Sequence, residues 1–469
     1  MFEKKSSGFR VLRDGAVAAS LLGGAVLLTP GEAAAQQTLP VITPTTSVNE
    51  YAPEVVKNFG KDLTDTGVYV TALYSGQMAA NTSGGERQGI AYAARLTLGT
   101  ALDMGKLAGI EGGTFHIVIT DDTGQNLSAH YVNTDLSQQS LFSGPEALQL
   151  SIFTYEQRLF NNTLDINFGR TDLAFLDSEL YCDFESRGNC GRPAATFKTV
   201  SASLFPTAVW GGRILYAPTP NFYGKIGIYQ PNPDLKPAYS HGFDWGIKTS
   251  GPAGGFVLPV EIGYTSLTPG AVIPNRYDFG VIDSEEQFSA PFDTAQHPLH
   301  DGRVDLYVQA QQFVYQTKAN SPRGIYLFGY GIYGASGQTQ VANYQLTGGA
   351  VWQGPFESRP YDRAGAMFNY YHMNSFYLNS LYATRLKAKG TAYPWSNQTL
   401  IEVNYTFQLT KWLQLQPDFQ YLIHPDGLGY TPFPKYNLPN AVIAGVQFNI
   451  NLATMAGLQS YPLAAQQDN

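Results

Sequence analysis

Apolar and polar residues alternate with a period of two along much of the chain, the signature of strands whose two faces meet different surroundings. Ile90, Tyr92, Leu96 and Leu98 interleave with Ala91, Ala93, Arg95 and Thr97, and Leu164, Ile166 and Phe168 with Asp165, Asn167 and Gly169. Phe256, Leu258, Val260, Ile262 and Tyr264 alternate with Val257, Pro259, Glu261 and Gly263. Val304, Leu306, Val308 and Ala310 alternate with Arg303, Asp305, Tyr307 and Gln309. The C-terminal third is clearest. There Ile401, Val403, Tyr405, Phe407 and Leu409 interleave with Glu402, Asn404, Thr406, Gln408 and Thr410. Leu413, Leu415, Phe419 and Tyr421 then interleave with Gln414, Gln416, Asp418 and Gln420, and a last stretch runs from Val442 to Leu452.

A soluble sandwich also alternates, burying its apolar face against a second sheet. Two features favour a membrane. The apolar faces persist for about nine to twelve residues, the length that crosses a bilayer at barrel tilt. Aromatic residues also gather near segment ends (Tyr264, Tyr315, Tyr370, Tyr371, Trp412, Tyr421), where an interfacial girdle would sit. Stretches rich in Gly, Pro, Asn and Ser at 181–193, 283–300 and 425–439 read as long loops, which barrels place on the outer side and can fold inward. The link at 408–412 is short, as expected of a hairpin on the inner side. The pattern therefore predicts an all-β fold, a transmembrane antiparallel β-barrel spanning 66–452. Residues 36–65 form a non-barrel segment with helical character around 48–63, and 453–469 form a C-terminal extension.

Residues 1–35 change the picture by adding export. Lys4, Lys5, Arg10 and Arg13 precede a short apolar run over 17–28, and Ala33, Ala34 and Ala35 offer small residues for cleavage. The apolar run is shorter than the ~18 residues a membrane span needs, so it reads as a cleaved signal peptide. Of the 469 residues only 14% are charged while 13% are aromatic, and the formal net charge is −8. No broad basic face is available for nucleic acid. Cys182 and Cys190 are the two cysteines of an exported chain and read as a disulfide closing one small loop.

The chain carries few signs of catalytic chemistry. No HExxH, GxSxG or CxxC occurs, and 99–106 has the wrong spacing for a phosphate loop. His297 and His300 lack the companions of a metal site, and no metal or cofactor is expected. What remains are polar residues opposite the apolar faces: Arg95, Asp165, Asn167, Glu261, Arg303, Asp305, Glu402, Asp418 and Gln420. In a barrel these line the lumen, with Arg95, Asp165, Arg303, Asp305 and Glu402 the first candidates to touch solute. Cations mixed with carboxylates suit hydroxyl-rich neutral solutes better than an ion filter, where one sign dominates.

Several motifs resemble the carbohydrate-selective porins of the OprB family over most of the mature chain. They include Leu63-Thr64-Asp65-Thr66-Gly67-Val68, Asp103-Met104-Gly105-Lys106-Leu107 and Asn167-Phe168-Gly169-Arg170-Thr171-Asp172. Cys190-Gly191-Arg192-Pro193 and Gly227-Ile228-Tyr229-Gln230-Pro231 are similar too. The most specific match is Trp412-Leu413-Gln414-Leu415-Gln416-Pro417-Asp418-Phe419-Gln420-Tyr421, followed by Pro425-Asp426-Gly427 and Pro439-Asn440-Ala441-Val442. The resemblance implies a barrel of about sixteen strands, a bacterial outer-membrane location with lipid around the barrel, no cofactor and passive passage of small sugars, glucose first. It is compatible with a lone barrel or a homotrimer. The alternatives are a general or organic-acid porin and, from another class, an outer-membrane barrel hydrolase. One departure is the chain beyond Leu452, where many barrel proteins instead end on an aromatic residue.

Overall fold

The computed structural model describes residues 54–141, 147–176, 178–186, 200, 203–231, 241–243, 246–247, 254–289, 299–429 and 433–458. Among them the strands are β1 (Val68–Ser83), β2 (Gly89–Asp103), β3 (Gly113–Gly124), β4 (Ala147–Leu159), β5 (Leu164–Thr171) and β6 (Val209–Tyr216). Next come β7 (Phe222–Tyr229), β8 (Val257–Ser266), β9 (Asn275–Ser289), β10 (Leu299–Gln316) and β11 (Gly324–Gly334). The last are β12 (Ala342–Gln353), β13 (Arg363–Met373), β14 (Asn397–Gln408), β15 (Leu413–Ile423) and β16 (Ala441–Asn451). Each pairs antiparallel with its sequence neighbours, and β1 pairs with β16 to close a sixteen-stranded barrel. Closure removes the open sheet edge that a lipid environment could not satisfy.

The period-two pattern becomes an inside and an outside. Phe168, Ile226, Ile262, Val308, Ile401 and Phe419 are exposed on the outer wall. The alternate positions, among them Gln77, Arg95, Asp122, Glu261, Asp305, Glu402 and Gln420, are buried within. Apolar-out and polar-in is the reverse of a soluble sandwich and fits lipid outside with a polar lumen inside. Aromatic rings gather at the short-turn rim, where Phe222 and Tyr264 pack at 4.9 Å and Tyr264 approaches Tyr277 at 6.4 Å. At the long-loop rim Tyr344 stacks on His372 at 4.9 Å, and Trp395 on His424 at 4.1 Å.

Two sequence expectations need correction. Tyr371 does not join the girdle: it is buried and shares the inward side of β13 with Met367 and Asn369. Tyr370, its neighbour, takes the outward side, so adjacent aromatics in one strand cannot both face lipid. The stretch 283–300 is not one long loop either, because β9 continues to Ser289 and β10 begins at Leu299. Its polar composition marks strand ends that continue pairing with one another, with Ser284 opposite Arg303 and Phe288 opposite His300.

Before the barrel, helix α1 (Glu54–Thr66) ends where Gly67 takes φ +95°, a conformation that suits glycine. Its Gly60 lies so close to the segment after β16 that a Cβ there would sit 2.6 Å from the Gly457 carbonyl oxygen. A second helix, α2 (Ser375–Lys387), lies in the β13–β14 connection. Its buried Arg385 donates to the carbonyls of Pro434 and Ala392 and to the Asn437 amide oxygen, joining two long loops at that end.

Candidate functional site

Two of the long connections turn into the barrel, and their docking defines its interior. The β5–β6 connection carries Leu173, Phe175, Leu176, Leu180, Tyr181 and Phe184, all essentially fully buried. Apolar residues in a loop between strands need a surface to cover them, and they find it on the inner wall. Tyr181 packs against Phe328 and Tyr330 at 5.7 and 5.1 Å, and Phe184 against Phe328 at 5.6 Å.

Polar contacts trace the loop along an arc of the wall. On β7 the Lys225 ammonium donates to the Ala174 carbonyl at 2.8 Å and lies 4.5 Å from the Phe175 ring centroid. On β8 Glu261 accepts the Leu176 N–H at 3.3 Å. On β10 Gln309 accepts the Tyr181 hydroxyl at 2.8 Å. Arg363 of β13 pairs with the Asp183 carboxylate at 2.5 Å, while Asn404 and Gln416 donate to the Asp183 carbonyl at 2.7 and 3.1 Å. Glu402 of β14 then accepts two backbone donors, Glu185 N–H at 2.6 Å and Ser186 N–H at 3.1 Å.

The β3–β4 connection covers the neighbouring arc. Gln398 donates to Thr134 Oγ1 at 2.6 Å, and Gln420 to the Gln138 carbonyl at 3.0 Å. Arg95 donates to the Leu141 carbonyl at 3.0 Å. Gln77 of β1 donates to Ser140 Oγ at 2.8 Å and accepts the Leu141 N–H at 3.0 Å. The two inward loops meet where Ser140 N–H donates to the Glu185 carbonyl at 2.8 Å. A sixteen-stranded wall that would otherwise enclose a wide channel is thereby narrowed by chain, not by wall side chains alone.

Several wall charges on β2 to β9 stand in matched pairs. Arg95 makes a two-pronged contact with Asp122 at 2.5 and 2.8 Å. Arg158 and His116 flank Glu156 at 3.0 and 3.1 Å, and Arg213 meets Asp165 at 3.1 Å. Glu261 gathers Lys225 at 3.0 Å, Arg276 at 3.3 Å and the hydroxyls of Tyr223 and Tyr307 at 3.0 and 2.5 Å.

A closed barrel with inward loops and a polar lumen is porin architecture, and the known relatives agree. A family model described as carbohydrate-selective porin, OprB family, matches residues 87–452. The chain belongs to the OprB family of carbohydrate-selective porins. Among similar proteins, Porin B of Pseudomonas aeruginosa is 25% identical over 421 residues, covering 82% of this chain and 88% of that one. A putative porin, QuiX, of Acinetobacter baylyi is 25% identical over 411 residues, covering 83% and 90%. The high-pH structure of Pseudomonas putida OprB superposes with a TM-score of 0.74 at 24% identity, covering 83% of this chain and 95% of that one. Membership of this family makes the chain an outer-membrane β-barrel porin.

Within this OprB-family barrel the nine candidate residues all take the inward side, but they do not form one cluster. Arg95 sits on β2, Asp165 and Asn167 on β5, Glu261 on β8, and Arg303 and Asp305 on β10. Glu402 faces Gln420 across the β14–β15 ladder, with Asn404 facing Asp418 one step along. Arg303 lies over the Phe288 ring at 3.5 Å, and Asp305 accepts from Gln340 at 3.4 Å. Glu261 and Glu402 direct oxygens at loop backbone. The alternation did not reveal the loop residues that occupy the lumen, Phe175, Tyr181, Phe184 and Glu185. The available signal was the apolar content of 173–184, unusual for a loop facing water. Cys182 lies in the short helical turn Glu179–Asp183, while Cys190 and His297 lie outside the described residues.

Proposed function

We propose that this porin passes small neutral monosaccharides, glucose foremost, past a constriction made by the inward loops. The observation that supports this reading is the charge matching of the wall from β2 to β9. Cations there stand against carboxylates at hydrogen-bonding distance in Arg95–Asp122, Arg158–Glu156, Arg213–Asp165 and Lys225–Glu261. Such a lining offers donors and acceptors to hydroxyls without the single-sign field that an ion filter needs. In this reading Arg95, Asp165, Asn167, Arg303 and Asp305 contact the solute. Glu261, Glu402, Asp418 and Gln420 support the loops. Residues 1–35 are the cleaved export signal, and a Cys182–Cys190 bridge shapes the inward loop. The protein acts as a channel and performs no hydrolysis.

Liposome swelling with refolded protein tests the reading. Glucose should enter faster than amino acids of similar size and much faster than larger oligosaccharides. Rates set by solute size alone would make it a general pore, and faster entry of organic anions would favour the organic-acid alternative. Labelling of folded protein by a serine-reactive probe would point to the hydrolase.

A further inference from the structure

The inward loop is held by two buried glutamates that differ in what surrounds them. Glu261 is offset by Lys225 and Arg276 and by two tyrosine hydroxyls. Glu402 accepts the Glu185 and Ser186 N–H groups, and the charged groups around it are the Asp418 and Glu185 carboxyls. Among the described residues no Lys or Arg pairs with Glu185, Glu402 or Asp418. Arg363 and Arg95, which touch the two inward loops, pair instead with Asp183 and Asp122. Neither carboxylate oxygen of Glu185, nor Oδ2 of Asp418, receives a donor from an amide, amine or backbone group, and Glu185 is fully buried. Both side chains converge over Gly445 of β16, where a Cβ would lie 2.1 Å from Asp418 Oδ2 and 2.7 Å from Glu185 Oε2.

Two facing carboxyl groups attract when they share one proton and repel when both ionise. We infer that Glu402 is the positioning residue that sets the constriction, and that its hold on the loop is released as the Glu185–Asp418 carboxyl pair ionises. The inference rests on the reading of this barrel as a pore narrowed by the loop. Glu185 is faced by Asp418 from β15, Glu402 from β14, Gln77 from β1, Ser140 from the other inward loop and the Gly445 backbone from β16. Of these only the two carboxyls titrate. Burial, the facing Asp418 carboxyl and the charge of Glu402 all raise the Glu185 carboxyl above its ordinary value. A raised carboxyl favours the docked loop while it is protonated, and that contribution is lost as pH rises through the shifted value.

Single-channel conductance in potassium chloride, measured from about pH 5 to about pH 9, tests the inference, with heat-modifiable gel migration confirming a folded barrel. Wild-type conductance should rise with pH by about 1.5-fold or more as the loop loosens. Asp418→Asn, whose amide can donate to Glu185 at any pH, should flatten that rise. Glu402→Ala should conduct above wild type throughout, with weaker discrimination between glucose and larger sugars. A flat wild-type profile, or a folded Glu402→Ala barrel with wild-type conductance and sugar discrimination, overturns the inference and leaves the pore reading intact. If Glu402→Ala does not fold, the Asp418→Asn profile decides alone. A folded wild-type barrel that conducts no ions overturns both readings.

Discussion

Glu261 offers the sharpest test of how the interior is held together. Its side chain is fully buried and accepts from Lys225, Arg276, Tyr223, Tyr307 and the Leu176 backbone. Glu261→Gln keeps the shape and one acceptor but removes the charge that offsets the buried Lys225. Arg276 retains Asp278 at 2.6 Å, so the loss falls chiefly on Lys225. Removing one member of a buried ion pair costs about 3–5 kcal/mol because the other is left uncompensated. Replacing both with neutral residues of similar volume is often close to neutral. Lys225→Met in the Glu261→Gln background should therefore recover most of the loss, giving a coupling energy of about 2–3 kcal/mol. Urea unfolding in lipid vesicles, followed by tryptophan fluorescence, measures all four corners of the cycle. The loop should report the same event: in Glu261→Gln the Leu176 N–H loses a charged acceptor, and glucose flux should lose size discrimination before the barrel unfolds. A single-substitution cost below about 1 kcal/mol, or additivity in the double substitution, would refute the claim that this pair anchors the loop.

Two further predictions concern the wall. Arg95→Gln with Arg303→Gln removes two inward cations and leaves Asp122 without its two-pronged partner. Reversal potentials in a salt gradient should shift toward cations and glucose flux should fall, and unchanged values in both assays would remove these residues from the solute path. Ile401→Arg places a charge on the lipid-facing side of β14, which should cost about 2–4 kcal/mol near the bilayer midplane. A cost near zero in the same unfolding assay would mean that this face does not meet lipid.

The barrel was legible because alternation is a local property. Each strand states its two faces without reference to its partners, and an antiparallel closed barrel joins neighbours in chain order, so local readings add up to the fold. The exceptions show where that logic stops. Tyr370 and Tyr371 read as two girdle aromatics, although strand geometry sends one of them inward. Ser284 and Gln287 read as loop because they are polar, although their ladder partners Arg303 and Asp301 carry the strands on into that stretch.

The inward loops were beyond this kind of reading because their positions depend on contacts far apart in sequence. Glu261 and Glu402 make the case. In the sequence they are equivalent: each is a lone carboxylate between apolar neighbours, Val260 and Ile262 for one, Ile401 and Val403 for the other. Each holds loop backbone in the fold. Their difference comes from adjoining strands, since β7 and β9 bring cations to Glu261 while β15 and the loop bring carboxyls to the site of Glu402. Buried carboxylates with cations are held in one charge state, and buried carboxyls facing one another are not. An inward polar residue in such a barrel thus has two possible duties, touching solute or fixing the chain that narrows the path. Which one it performs is decided by loop residues such as Leu176 and Glu185, whose place no strand pattern specifies.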